Sequence, residues 1–81
     1  MLYLLDKPLA EIAHRTIADD PDPVVVLIQD GVLLDPPEGV PTYAMTDDVA
    51  VRGVDLPARV ERIGYDRLLE LVFEHEVRSF V

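Results

Sequence analysis

Five apolar residues follow one another without interruption from Val24 to Ile28, and the chain then turns polar at Gln29-Asp30-Gly31. A strand with one wet face alternates apolar and polar residues. An uninterrupted run fits a strand covered on both faces, as in a parallel sheet. Leu2 to Leu5 reads as a similar strand at the start of the chain. Between the two, Asp6 is placed to cap a helix, with Lys7 and Pro8 in its first turn. Leu9, Ile12, Ala13 and Ile17 fall on one face of that helix, which ends in the Asp- and Pro-rich stretch from Asp19 to Pro23. Thr42 to Met45 predicts a third strand, with Pro41 tolerable only just before it. Thr46 then suits an N-cap, Asp47 and Asp48 a first turn, and Gly53 a left-handed stop. Val60 to Tyr65 contains a fourth strand. Asp66 suits the cap of a last helix whose Leu68, Leu69, Val72 and Phe73 make an apolar face, and Val77 to Val81 supplies a fifth strand. The order β-α-β-β-α-β-α-β predicts an α/β fold with a mostly parallel sheet.

Two features complicate this pattern. Asp-Gly is also the preferred dipeptide of a type I′ hairpin. Its return strand would be only Val32-Leu33-Leu34, stopped by Asp35-Pro36-Pro37, so the end of a buried strand is the better reading. The connection from Leu33 to Pro41 is also short for a parallel crossover, which ordinarily takes a dozen residues with a helix. With three prolines and a glycine it has no room for one. Part of one sheet face is therefore expected to lack its covering helix and to be buried by another subunit.

The 81 residues form one domain, 1–81, and 49% hydrophobic content is enough for a core. No apolar run approaches the roughly 20 residues that cross a bilayer, and MLYLLDKP lacks a basic n-region, so neither a membrane span nor a signal peptide is expected. The absence of cysteine excludes disulfides, thiolate chemistry and thiolate metal sites within the sequence, and makes the cytoplasm the expected location. The 16 acids against 7 Lys and Arg give a net charge of −9, which repels phosphate backbones and disfavours direct nucleic-acid binding by this chain alone.

Ligands of open α/β sheets sit beyond the carboxyl ends of the strands. Here those positions are Gln29, Asp30 and Gly31, then Thr46, Asp47 and Asp48, then Tyr65 and Asp66. Helix capping and one tight turn account for the same residues. Asp47 and Asp48 are adjacent and point apart, so they do not form an acid/base pair, and no catalytic residue is assigned. His14 and His75 lie far apart without ligand spacing, so no metal is assigned either. No phosphate loop or nucleophile elbow is present, and no cofactor is implied. Arg52, just before Gly53, is the cation nearest the strand ends and could meet an anion or a partner's carboxylate.

Four pieces in order resemble the DsrH/TusB family of sulfur-relay subunits, within the DsrE/DsrF/DsrH-like superfamily. They are Leu27-Ile28-Gln29-Asp30-Gly31-Val32, Tyr43-Ala44-Met45 running into Asp47-Asp48, Arg52-Gly53, and Ile63-Gly64-Tyr65-Asp66. The Met-Leu-Tyr-Leu start fits as well, so the resemblance spans nearly the whole chain. It implies a three-layer α/β/α fold with a five-stranded sheet, the helix between strands 2 and 3 being shortened or absent. It also implies a non-enzymatic subunit that assembles with DsrE/TusD-like and DsrF/TusC-like partners. Such assemblies pass persulfide sulfur toward 2-thiolation of the tRNA wobble uridine or in intracellular sulfur oxidation. Without cysteine this chain would act through partners. Gln29, Asp30, Gly31, Tyr43, Asp47, Asp48, Arg52 and Tyr65 are the candidates for its interface or strand-end rim. The alternative is a stand-alone homo-oligomeric structural or small-ligand-binding module of the same fold.

Overall fold

Strands β1 (Leu2–Leu5), β2 (Val24–Leu27), β3 (Thr42–Met45), β4 (Glu61–Ile63) and β5 (Val77–Phe80) make one sheet in the order β4-β3-β2-β1-β5. These elements come from a computed structural model that describes all residues 1–81. Every neighbouring pair is parallel. Helices α1 (Ala10–Ala18), α2 (Thr46–Arg52) and α3 (Tyr65–Glu74) complete the α/β fold. No helix is long and apolar enough to cross a membrane.

The topology distributes the helices. From β1 to β4 each step goes to the next strand on one side, whereas the last crossover returns past β1 to place β5. Right-handed crossovers in opposite directions put their helices on opposite faces. Accordingly Ala13 and Ile17 of α1 and Val49 of α2 pack with Tyr3, Leu5, Val25, Leu27, Ala44 and Phe80 on one face. Leu71 of α3 packs with Leu2, Val24, Val26, Met45 and Ile63 on the other. All four β2 residues are buried, which explains their unbroken apolar character.

The Asp-Gly dipeptide is no hairpin. β2 ends at Leu27, and Gln29–Leu33 coils into a 3₁₀ turn. That turn fills part of the gap left by the short connection: Val32 is fully buried in the first-face core, and Leu34 and Val40 pack against it. The chain itself thus covers part of the sheet face over β2 and β3 that the missing helix leaves open. What remains is an open hollow of about 510 Å³ between the end of α1 and the loop around Pro37–Val40.

Three local expectations change. Thr46 does not cap α2, because its hydroxyl donates to the Ile63 carbonyl at 3.0 Å and ties the end of β3 to that of β4. Asp66 lies inside α3, which starts at Tyr65 with Gly64 in the cap position and no side-chain cap. The buried face of α3 is Leu68, Leu71 and Val72, whereas Leu69 and Phe73 are exposed. The Asp6 cap forms as expected, accepting from the Lys7 N–H at 2.7 Å, but opens a 3₁₀ turn (Lys7–Leu9) ahead of α1. Gly53 ends α2 with φ 61°, the left-handed conformation anticipated for it.

At the amino ends of the strands, the Tyr3 hydroxyl donates to Asp20 at 2.7 Å. Burial, reinforced by that bond to a carboxylate, pushes the Tyr3 phenol up to about 12. The backbone N–H of Asp22, and then the Tyr3 hydroxyl, hold Asp20 below its usual range. The folded state thus holds the Tyr3 proton more tightly than the unfolded chain does. Its contribution to stability is complete below pH about 10, the unfolded value, and is lost as pH rises toward about 12. Asp20 has the opposite sign: its contribution is present above the ordinary carboxylate pKa and lost as pH falls through the lowered value. Urea unfolding across alkaline pH should show the first loss, and Tyr3→Phe should remove that pH dependence together with the late-titrating tyrosinate absorption.

Candidate functional site

The connections leaving β3 and β4 diverge to opposite faces of the sheet, which opens a crevice at the carboxyl ends of the strands. Its volume is about 320 Å³. Leu4, Ile28, Met45 and Leu68 contribute its apolar lining, and Gln29, Asp48 and Tyr65 its polar lining. Gln29 follows β2, Asp48 is in the first turn of α2, and Tyr65 opens α3. Three segments far apart in sequence therefore meet at one opening.

Gln29 is the only non-glycine residue with positive φ, at 50°. An L-residue in this region costs on the order of 1–2 kcal/mol. The conformation turns the chain sharply out of β2, and Asp48 holds it: its Oδ2 accepts the Gln29 N–H at 2.8 Å. Two residues on, Gly31 passes directly over β1. An added Cβ would lie inside the contact radius of the Leu5 carbonyl oxygen and 3.2 Å from Asp6 Cα. The Leu5 carbonyl also accepts the Ile28 N–H at 3.0 Å, which locks β1 to the start of the turn.

Beside the crevice, Arg52 closes the rim. Its Nε donates to Asp30 Oδ1 at 2.8 Å, and its Nη1 lies 3.5 Å from Asp48 Oδ1. The cation expected to meet an anion or a partner's carboxylate is thus engaged by carboxylates of its own chain, and it fastens α2 to the 3₁₀ turn. Of the eight sequence candidates, Gln29, Asp48 and Tyr65 line the opening, Asp30 and Arg52 brace it, and Gly31 is buried beneath. Tyr43 and Asp47 are elsewhere. Tyr43 is half-buried on the sheet, with the Arg67 guanidinium 6.0 Å from its ring centre, and Asp47 is exposed in the first turn of α2. No group of three His, Asp or Glu side chains is arranged to hold a metal ion.

Sequence reasoning missed the apolar lining. Leu4, Ile28 and Met45 had a readable signal, since each lies within one residue of the end of a strand. Leu68 had none beyond its place on a helix. The pairing of Gln29 with Asp48 is likewise invisible locally, because 19 positions separate them.

Asp48→Ala is expected to lower the unfolding free energy by about 1–2 kcal/mol, since it strips the Gln29 N–H of its acceptor and leaves Arg52 with Asp30 as its one carboxylate partner. Gln29→Gly should change it by less than about 1 kcal/mol, because relief of the left-handed backbone offsets the greater freedom of the unfolded chain. Urea titration of the three proteins checks both, and it would show whether Gln29 can be altered without loss of the fold.

No protein-family model matches this chain, and no curated protein matches it. The fold and the crevice define a small all-parallel α/β domain with a strand-end opening.

Proposed function

We propose that this protein is a non-catalytic subunit of a sulfur-relay assembly of the DsrH/TusB type, acting by association with cysteine-bearing partners. The observation that carries the reading is a convergence. Three of the four sequence pieces resembling that family, those holding Gln29-Asp30, Asp48 and Tyr65, contribute side chains to one strand-end rim, and the fourth supplies Arg52, which braces it. The rim's charged residues are engaged with one another, which suits a surface of fixed shape better than a reacting pair. The sequence has no cysteine to hold a persulfide, so sulfur would pass along a partner's thiol beside this rim. The net charge of −9 leaves contact with tRNA to a partner as well. A cytoplasmic, oligomeric setting follows from this role.

Affinity purification of the tagged protein from its native cells, followed by mass spectrometry, tests the reading. The expected result is a stoichiometric cysteine-bearing chain of the DsrE/TusD or DsrF/TusC type, with Gln29→Gly weakening its recovery while leaving the fold intact. Recovery of the protein as a homo-oligomer alone would reject the relay role. The mostly apolar lining of the crevice favours a second reading for that case, a small-ligand-binding module. Native mass spectrometry of the purified protein would then reveal a retained small molecule.

A further inference from the structure

Helix α3 carries two columns of side chains that its own core does not bury. Tyr65, Leu69 and Phe73 recur every four residues and are 71%, 45% and 87% exposed. Each is followed by an acid, Asp66, Glu70 and Glu74, and all three acids are exposed. A step of four residues turns an α-helix by only about 40° beyond a full circle, so the six residues form two adjacent, gently slanting columns. The apolar column borders the buried Leu68-Leu71-Val72 face, and the acidic column flanks it on the solvent side.

Tyr65 also borders the strand-end crevice, but nothing within the molecule accounts for Leu69, Phe73 or the acidic column. Single exposed apolar residues are ordinary, but three in helical register make a continuous stripe. Val77, 40% exposed, opens β5 just beyond the end of the helix. The acids repel one another as i,i+4 neighbours. The one cation paired with any of them is Arg67, 3.7 Å from Glu70.

We propose that this face docks a basic amphipathic helix of another protein. Apolar side chains of that helix would seat on Tyr65, Leu69 and Phe73, and its Lys or Arg residues would lie beside Asp66, Glu70 and Glu74. Charge selects this occupant. Two copies packed antiparallel on the apolar column would set like flank against like flank, acids facing their own counterparts, on a chain already at −9. Nucleic acid and anionic lipid are repelled by the same column. The inference concerns this surface and does not rest on the sulfur-relay reading.

The test is fluorescence anisotropy with a labelled synthetic helical peptide that has leucine every third or fourth residue and lysines along one flank. The wild-type protein should bind it saturably. Leu69→Ser or Phe73→Ser should each weaken binding about tenfold or more, as the loss of an interface anchor does. Val51→Ser, at an 81% exposed site on α2, and Glu38→Lys, at an exposed loop site, should leave it unchanged. The triple variant Asp66→Lys, Glu70→Lys, Glu74→Lys should instead prefer the peptide whose lysines are replaced by glutamates. Every substituted residue is exposed, so the fold should survive, which circular dichroism checks.

Three outcomes would overturn the proposal: no saturable binding, equal weakening by Glu38→Lys, or a wild-type dimer that Phe73→Ser converts to monomer in sedimentation. Co-purification tests the relay role and the peptide titration tests this face, so either can fail without the other.

Discussion

Gly31→Ala is expected to destabilise the protein by about 3 kcal/mol or more, the upper part of the range for overpacking a filled site. The glycine is buried where the 3₁₀ turn crosses β1, and a methyl group there would press on the Leu5 carbonyl oxygen and approach Asp6 Cα at 3.2 Å. These are backbone atoms of a central strand, so no side-chain rotation relieves the clash. Either the turn lifts, uncovering Val32, or β1 shifts and strains the Leu5–Ile28 hydrogen bond. For a domain of this size the loss corresponds to a fall in Tm on the order of 15 °C. Gly53→Ala is the informative contrast. Its φ of 61° is left-handed, but no atom lies within 4 Å of an added Cβ, so it should cost only about 1 kcal/mol. Thermal melts followed by circular dichroism would compare them. Equal melting temperatures for the two variants would mean that the turn does not cross β1 as described.

Val25→Ser and Val26→Ser should each cost about 2–4 kcal/mol, combining lost apolar contact with a hydroxyl that has no partner. The two residues are adjacent, fully buried and on opposite faces of the sheet. In a strand with one solvated face, one of the two substitutions would be nearly harmless. Similar losses from both in urea titration would therefore identify β2 as a central strand covered on each side. The exposed Ser79 of β5 supplies a reference: Ser79→Val, at an edge of the sheet, should change stability by less than about 0.5 kcal/mol.

How much of the fold could be read in advance depends on the range of the interactions involved. Strands β1 and β2 were legible because burial on both faces leaves an unbroken apolar run, as in Val24–Leu27. Gly53 was legible because a left-handed helix stop is a property of one residue. The capping expectation for Thr46 failed for a nonlocal reason. The same hydroxyl that could turn back on its own helix finds the Ile63 carbonyl at the end of the neighbouring strand, 17 positions away. Helix α3 was misread because it is apolar over a wider arc than one buried face needs. Residues 68, 69, 72 and 73 satisfy helical spacing as well as 68, 71 and 72 do, and only packing against β1, β2, β3 and β4 decides between them.

The rim shows the same division. Its location beyond the strand ends followed from the predicted α/β order, and Gln29 and Asp48 were among its expected residues. That Asp48 would hold a left-handed Gln29 backbone, and that Arg52 would be engaged by Asp30 across 22 positions, were not predictable from spacing.

By itself the sequence determined the five strands and three α-helices, the parallel character of the sheet and the strong negative charge, because each depends on residue pattern or composition alone. Only the tertiary structure decided which residues meet at the crevice, how the short connection closes over the first face, and which apolar residues of α3 remain outside. Those outcomes depend on contacts between segments distant in the chain, whose geometry exists only once the sheet has brought them together.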